Sequence, residues 1–446
     1  MNYSEFEKET DKIEQERDKF EVSNEDAVRV AIKFDVSGNI DKKNMSMRAS
    51  NEKNIKELFT LQNKESKPVM HIINYTDNEG FIIVSATKKY NPILAYSEKG
   101  NFVITNDMPL GVTMWIEEIK ADVDYIENNA ADSIVNKYLA LWKRYEDPEE
   151  IVFNKMRAGS TIDELLNEEV FYWTGQGYRV SKVGENCQGL PDDICTYFTI
   201  LAEGFIYPLY DYLIYALIIT KDFEFVNAVE PLLTTQWDQE FPYNNQLDPI
   251  GGQLPPLGCS AVAMGQIMAY HKWPSYYNWT DMLTYGGFST VTQYFLKDIA
   301  ISIGTKFGIN GSYANIDDVA SKLKNTYGYS SSISVVDHDS STPVMQQLNL
   351  NQPVYMRGSN SANEGHAWVC DGYHLYTFYT ESTLRAPTNS SSYASGSTSM
   401  YDYSSYAAYH MNWGWGGLYD GWFYYDVNPG GTSLKYKRKD IINIKK

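Results

Sequence analysis

Cysteine is scarce. Four occur in 446 residues, at Cys187, Cys195, Cys259 and Cys370. No two stand at CxxC spacing, which excludes the usual zinc and dithiol motifs. Cys187 and Cys195 flank the turn Gly189-Leu190-Pro191 and read either as a small disulfide of an exported protein or as two buried thiols. Positive charge is also short. The chain has 38 basic against 57 acidic residues, a net of −19, which argues against nucleic acid as the main partner. No clean apolar run of about 18 residues exists, so no membrane-spanning helix is expected. Gly204 to Thr220 comes nearest, but Pro208 and Asp211 interrupt it, which favours a buried or surface-lying helix there. The first stretch of sequence is densely charged and shows no signal-peptide pattern. That leaves a cytoplasmic protein, or an exported one whose signal has been removed.

What is present is length, aromatic content and an uneven charge. At roughly 150 residues per domain, the chain suggests two or three domains with enough surface to bury a core without staples. There are 36 Tyr, 18 Phe and 10 Trp, and seven of the Trp residues follow position 230. Apolar content is 43% and charged content 21%, which excludes disorder by composition. From Glu230 onward the chain holds 17 acidic and 13 basic residues; the first 229 hold 40 and 25. Two compositionally different parts share one chain.

The N-terminal part reads as a small α+β unit followed by a helix. Helices are expected near Glu5 to Phe20 and Asn24 to Phe34. Strands are expected at Val69–Tyr75 and Gly80–Ser85, around the turn Thr76-Asp-Asn-Glu79, and at Pro92–Tyr96 and Asn101–Thr105. Met114 to Tyr145 carries a long helical pattern through Trp115, Ile119, Val123 and Ile126. The domain boundaries that follow are 1–145 for this unit, 146–228 for a mainly helical linker or insertion, and 229–446 for a third domain. The last is rich in Gly, Asn, Pro, Trp and Tyr. It offers one clear helix, Ser260 to about His271, and strands at Pro353–Met356, His366–Asp371, His410–Trp413 and Gly421–Tyr425. Thr380 to Tyr409 reads as a Ser/Tyr-rich surface loop.

Chemistry points first to Cys259. It stands at the start of the helix, where free N–H groups and the macrodipole favour a thiolate. A thiolate nucleophile needs a base. Of six histidines, His271 lies twelve residues down the same helix, ~18 Å away at ~1.5 Å per residue, and is excluded. His366 opens an apolar strand after a polar approach and is best placed, with His374 and His410 as rivals. An imidazole needs an orienting group, and Asn412 can supply it from a neighbouring strand, covered by Trp413 and Trp415. An oxyanion needs donors. The Cys259 N–H can give one, and a side-chain amide at Gln236, Gln239 or Gln253 a second.

Four ordered blocks carry a resemblance. They are Pro231-Leu-Leu-Thr-Thr-Gln-Trp-Asp-Gln-Glu-Phe-Pro-Tyr-Asn244, Gly258-Cys-Ser-Ala-Val-Ala-Met-Gly-Gln-Ile-Met-Ala-Tyr-His-Lys-Trp-Pro274, Gly365-His-Ala-Trp-Val-Cys-Asp-Gly-Tyr373 and His410-Met-Asn-Trp-Gly-Trp-Gly-Gly-Leu-Tyr-Asp-Gly-Trp-Phe423. Together they resemble the streptopain family of bacterial papain-like cysteine peptidases over about 229 to 430. Val69 to about Trp115 resembles that family's propeptide. The resemblance implies an α+β fold, a papain-like catalytic domain with its nucleophile helix packed on an antiparallel sheet, preceded by a small α+β prodomain. It implies Cys259 as nucleophile, His366 as base, Asn412 orienting His366 with Trp413 beside it, and Gln239 as the oxyanion side chain. It implies a secreted or surface cysteine endopeptidase made as a zymogen, with protein or peptide substrates, its own propeptide as intramolecular inhibitor, and no metal or organic cofactor. Ser260 and Val262 depart from the family's usual residues beside the thiol, and 146–228 has no family counterpart. Two rival readings are a non-catalytic adhesion or binding protein on the same fold and a transglutaminase-like acyl transferase.

Overall fold

The computed structural model describes residues 20–34, 53–145, 161–182, 216–285, 289–338, 343–359, 365–385, 387–389, 392–393, 399–424 and 438–446. Cys187, Cys195 and the expected helix near Glu5 lie outside them. The chain divides into two units. The first comprises Met1–Trp142, Asn227–Leu375 and Tyr406–Lys446, and the second Lys143–Val226 and Tyr376–Ser405.

The first unit begins with helix α1, Asn24–Lys33, started by a capping box in which Ser23 and Asp26 bond each other's backbone N–H. Strands β1 (Ile55–Gln62), β2 (Pro68–Tyr75), β3 (Phe81–Ser85) and β4 (Ile93–Ser97) follow as an antiparallel series. β2 and β3 are nearly continuous apolar runs, and both are buried along their length. β1 is the polar, half-exposed edge strand and escapes sequence reading for that reason. Asn101–Thr105 forms no strand; there the Phe102 N–H bonds the Asn74 side chain instead of a neighbouring strand. The long helical pattern divides into α2, Leu110–Asn129, and α3, Asp132–Trp142, because Ala130 adopts an extended backbone between them.

The later part of this unit supplies helices α5 (Cys259–His271), α6 (Thr290–Ser302), α7 (Ile316–Asn325) and α8 (Val344–Asn349). Its strands are β7 (Ser334–Asp337), β8 (Val354–Ser359), β9 (Gly365–Arg385), β10 (Ser399–Asn412), β11 (Gly421–Tyr424) and β12 (Lys439–Ile442). One sheet runs in the order β1-β2-β3-β4-β11-β10-β9-β8-β12-β7. β4 and β11 are adjacent, with Tyr96 opposite Trp422 and Ala95 opposite Phe423, so the N-terminal strands continue the C-terminal sheet. Helix α5 is buried from Ser260 through Met268, on every side, as expected of a central core helix. It packs with α6, α7 and β8.

The second unit contains α4 (Thr161–Gly175), β5 (Arg179–Lys182) and β6 (Leu217–Val229). β5 and β6 pair antiparallel over a small core of Leu166, Val180, Leu217 and Ile219. Arg385 clasps Glu169 through both carboxylate oxygens, at 2.8 and 2.9 Å. Two expectations are corrected. The described end of the 204–220 segment is strand, not helix, because β-branched Ile218, Ile219 and Thr220 pair with β5. The stretch expected as a surface loop after Thr380 is largely strand, since β9 reaches Arg385 and β10 begins at Ser399. Alternating Tyr, Ser and Thr favour a pleated backbone as much as a loop. Among the described residues, no helix is long and apolar enough to cross a membrane.

Candidate active site

Gly258 caps helix α5 with a φ of 92°, in the region that favours glycine. A Cβ there would also lie 3.1 Å from the Ser312 carbonyl oxygen. This bend delivers Cys259 as the first helical residue, partly buried, with a free thiol. Burial alone raises its pKa. A hydrogen bond from His366, the charge of that imidazole, the Ala367 N–H and Arg357 together outweigh burial and hold the thiol below its ordinary value.

Those partners come from two paired strands. On β8 and β9, Gly358 stands opposite His366 and Arg357 opposite Ala367. His366 is 3% exposed, and its Nε2 lies 2.9 Å from the Trp413 carbonyl oxygen. A carbonyl only accepts, so Nε2 keeps its proton and Nδ1 is left to exchange one with the thiol. Trp368 lies parallel to the imidazole at 6.2 Å and Trp415 edge-on at 6.0 Å. The indoles of Trp368 and Trp415 thus lie against the ring, and Trp413 packs on Trp368 at 5.2 Å.

Asn412 differs from expectation. Its amide does not hold His366; the acceptor at Nε2 is the backbone of the next residue. Asn412 Nδ2 donates to the Thr235 carbonyl at 2.8 Å, and its Oδ1 accepts from Gln266 Nε2 at 2.8 Å and from the Gly414 N–H at 3.1 Å. The amide orients the loop that carries the acceptor, not the ring. Gln266, which sequence reasoning missed, is wholly buried and also accepts the Trp237 N–H at 3.2 Å. A single amide inside the apolar run Ala263–Met268 was the available signal.

Gln239 lies beside the helix entry. Its carbonyl accepts the Leu257 N–H at 2.8 Å, two residues before Cys259, and its own N–H donates to Asp238 Oδ1 at 2.6 Å. Of the alternatives, the Gln236 backbone N–H donates to the Thr284 carbonyl at 2.6 Å while its side chain lies against Gly417, and Gln253 sits in an exposed turn with Ile250. The rival histidines are engaged elsewhere. His410 Nδ1 is 2.7 Å from Asp371 Oδ1. His374 lies between the Tyr96 hydroxyl at 2.7 Å and Glu230 at 3.2 Å, with Trp422 stacked on it at 3.7 Å. Burial pushes the nearby Asp420 carboxyl up to about 7.

The N-terminal part reaches this site through one face of α2. A Cβ on Gly111 would lie 2.5 Å from the Trp413 ring and 3.0 Å from the His366 ring. Met114, one turn on, fills the hollow above Gly358, opposite His366. Trp115 packs edge-on against Phe423 at 5.0 Å, and Glu118 forms an ion pair with Arg438. Positions 111, 114, 115 and 118 share one face of a 3.6-residue helix.

Residues 237–285 and 275–423 match the Peptidase C10 family, and residues 20–123 match the Spi protease inhibitor family. The chain is 29% identical over 247 residues to the thiol protease/hemagglutinin PrtT of Porphyromonas gingivalis, covering 46% of this chain and 24% of that protein. It is 27% identical over 221 residues to streptopain of Streptococcus pyogenes, covering 40% of this chain and 48% of that protein. The match thus spans about half, or less, of those relatives' lengths. Among solved structures, a Prevotella intermedia prointerpain A fragment aligns over 87% of this chain and 99% of its own, with a TM-score of 0.48 and 17% identity. Interpain A of the same organism aligns over 48% and 94%, with a TM-score of 0.35 and 21% identity. On these matches, residues 237–423 carry the pattern of the Peptidase C10 family, and a segment at 20–123 that matches the Spi protease inhibitor family stands ahead of them.

Proposed function

We propose that the chain is the zymogen of a cysteine endopeptidase, secreted or held at the cell surface, acting on protein or peptide substrates. The observation that carries this reading is the Cys259–His366 contact at the N-terminus of a buried helix, which holds the thiol below its ordinary pKa.

In this reading His366 Nδ1 takes the thiol proton. The sulfur attacks a peptide carbonyl carbon, the C–S bond forms, and the carbonyl electron pair moves onto oxygen. The Cys259 N–H and the Gln239 side-chain amide hold that oxyanion, each donor contributing a factor of about 10² to 10³. As the C–N bond breaks, His366 gives its proton to the departing amine. Water then attacks the thioester with His366 as base, and the acid leaves as the thiolate reforms. Asn412 and Trp413 keep the acceptor of His366 in place. Residues 20–123 act as the intramolecular inhibitor, with α2 against His366.

The test compares wild type with Cys259→Ala on casein near neutral pH with reductant. Loss of cleavage in the variant is expected; equal activity in both ends the proposal.

A further inference from the structure

We infer that Gln266 is a positioning residue for the reaction: its buried amide joins the nucleophile helix to the two segments that carry the His366 acceptor and Gln239. The inference rests on the peptidase reading above.

A buried amide is costly unless both ends are bonded. In Gln266 both are. Nε2 donates to Asn412 Oδ1 at 2.8 Å and Oε1 accepts the Trp237 N–H at 3.2 Å. Asn412 carries the connection outward. It bonds the Gly414 N–H at 3.1 Å and the Thr235 carbonyl at 2.8 Å. Trp413 lies between the two positions so clamped, and its carbonyl is what His366 Nε2 bonds at 2.9 Å. On the other side, Thr235 and Trp237 fix the strand-like segment that leads into Gln239, whose carbonyl holds the Leu257 N–H at 2.8 Å. Gln266 stands seven residues after Cys259, two helical turns along the same face. Nucleophile, imidazole acceptor and oxyanion segment are therefore referenced to one helix through one side chain.

An apolar side chain at 266 leaves Asn412 Oδ1 with Gly414 alone and the Trp237 N–H without its acceptor. The 412–414 turn then loosens and the imidazole loses its fixed distance from the sulfur. The other groups that act on Cys259 are the Ala367 N–H, Arg357 on β8 and Tyr355; the hydrogen bonds of Gln266 run to Asn412 and Trp237 instead, so those effects on the thiol persist in the variants.

The experiment uses the full chain as wild type, Gln266→Met and Gln266→Glu, each self-incubated until the N-terminal segment is released before hydrolysis is measured. It measures iodoacetamide alkylation of Cys259 against pH by mass spectrometry, peptide hydrolysis, and Tm. In Gln266→Met the alkylation limb moves to higher pH, and kcat falls by about 10²-fold with KM little changed, the size expected for a small misplacement of reacting groups. Gln266→Glu keeps the acceptor for Trp237 and can donate to Asn412 only when protonated, so its reactivity recovers toward acid pH. If Gln266→Met lowers Tm while folded molecules keep the wild-type limb and kcat, the inference is overturned. If that variant does not fold, Gln266→Glu decides, and a wild-type profile at every pH overturns the inference equally. An ordinary thiol profile in the wild type would instead count against the peptidase reading itself.

Discussion

Gly111 of the N-terminal helix lies so close to the indole of Trp413 that an added methyl group would stand 2.5 Å from the ring. The same methyl group would reach His366 at 3.0 Å. Gly111→Ala should therefore push the start of the helix away from the site. Overpacking of this kind typically costs ~1–3 kcal/mol. The expected result is faster alkylation of Cys259 in the uncleaved chain and earlier appearance of shorter species in self-incubation, followed by mass spectrometry. Unchanged rates would show that the helix does not gate the thiol.

Further along the same face, Glu118 and Arg438 form an ion pair in which both side chains are largely buried, at 16% and 3% exposed. Burial raises the Glu118 pKa, against the opposing pull of Arg438 and His338. Removing one member of such a buried pair typically costs about 3 kcal/mol or more. Glu118→Met should lower the urea midpoint strongly. Glu118→Met with Arg438→Met should recover much of the loss, because the buried Glu118 and Arg438 charges then go together. A single variant as stable as wild type would contradict this.

Asp420 sets a pH dependence. Burial pushes its carboxyl up to about 7, opposed by His410 and by the Trp413 N–H, which donates to Oδ1 at 2.9 Å. The folded pKa is above the unfolded one, near 3.8. Its contribution to stability is fully present below that unfolded value and is lost as pH rises toward 7, by at most about 1.4 kcal/mol per pH unit. Asp420→Asn retains an acceptor for the Trp413 N–H and has no such loss. The variant should match wild type in acid and exceed it above neutrality, in urea midpoints measured across pH.

The thiol itself can be titrated by its reactivity. His366 lowers the Cys259 pKa by hydrogen bond and by charge, and Arg357 adds a smaller effect in the same direction. His366→Ala should move the pH limb of iodoacetamide labelling upward. Arg357→Gln should move it less. An unmoved limb in His366→Ala would mean that the imidazole does not support the thiolate.

Sequence reading reached the buried elements and missed the edges, for a physical reason. β2, β3 and helix α5 bury long apolar runs, and those runs are plain in the sequence. β1 is a half-exposed edge, and the Ser/Tyr alternation of β10 resembles a loop as much as a strand. Within the site, Cys259 was legible from the Gly-Cys entry to an apolar helix and His366 from its place at the head of a strand. The acceptor on His366 was not, because the Trp413 carbonyl belongs to the backbone and leaves no mark in residue type. Asn412 was expected to orient His366, whereas its amide bonds Thr235, Gln266 and Gly414. Which of several polar groups it bonds depends on how three separated segments meet.

The junction of β4 with β11 has a consequence for the processed protein. If residues 20–123 are removed, as the proposed function requires, Trp422 and Phe423 lose Tyr96 and Ala95 but keep His410 and Tyr409 on β10, and the β11 backbone groups that faced β4 meet water. A freshly bared, aromatic-lined rim of this sort is a template for another extended chain. On the proposed function, release of the N-terminal segment would therefore uncover backbone able to pair as well as the Cys259 thiol.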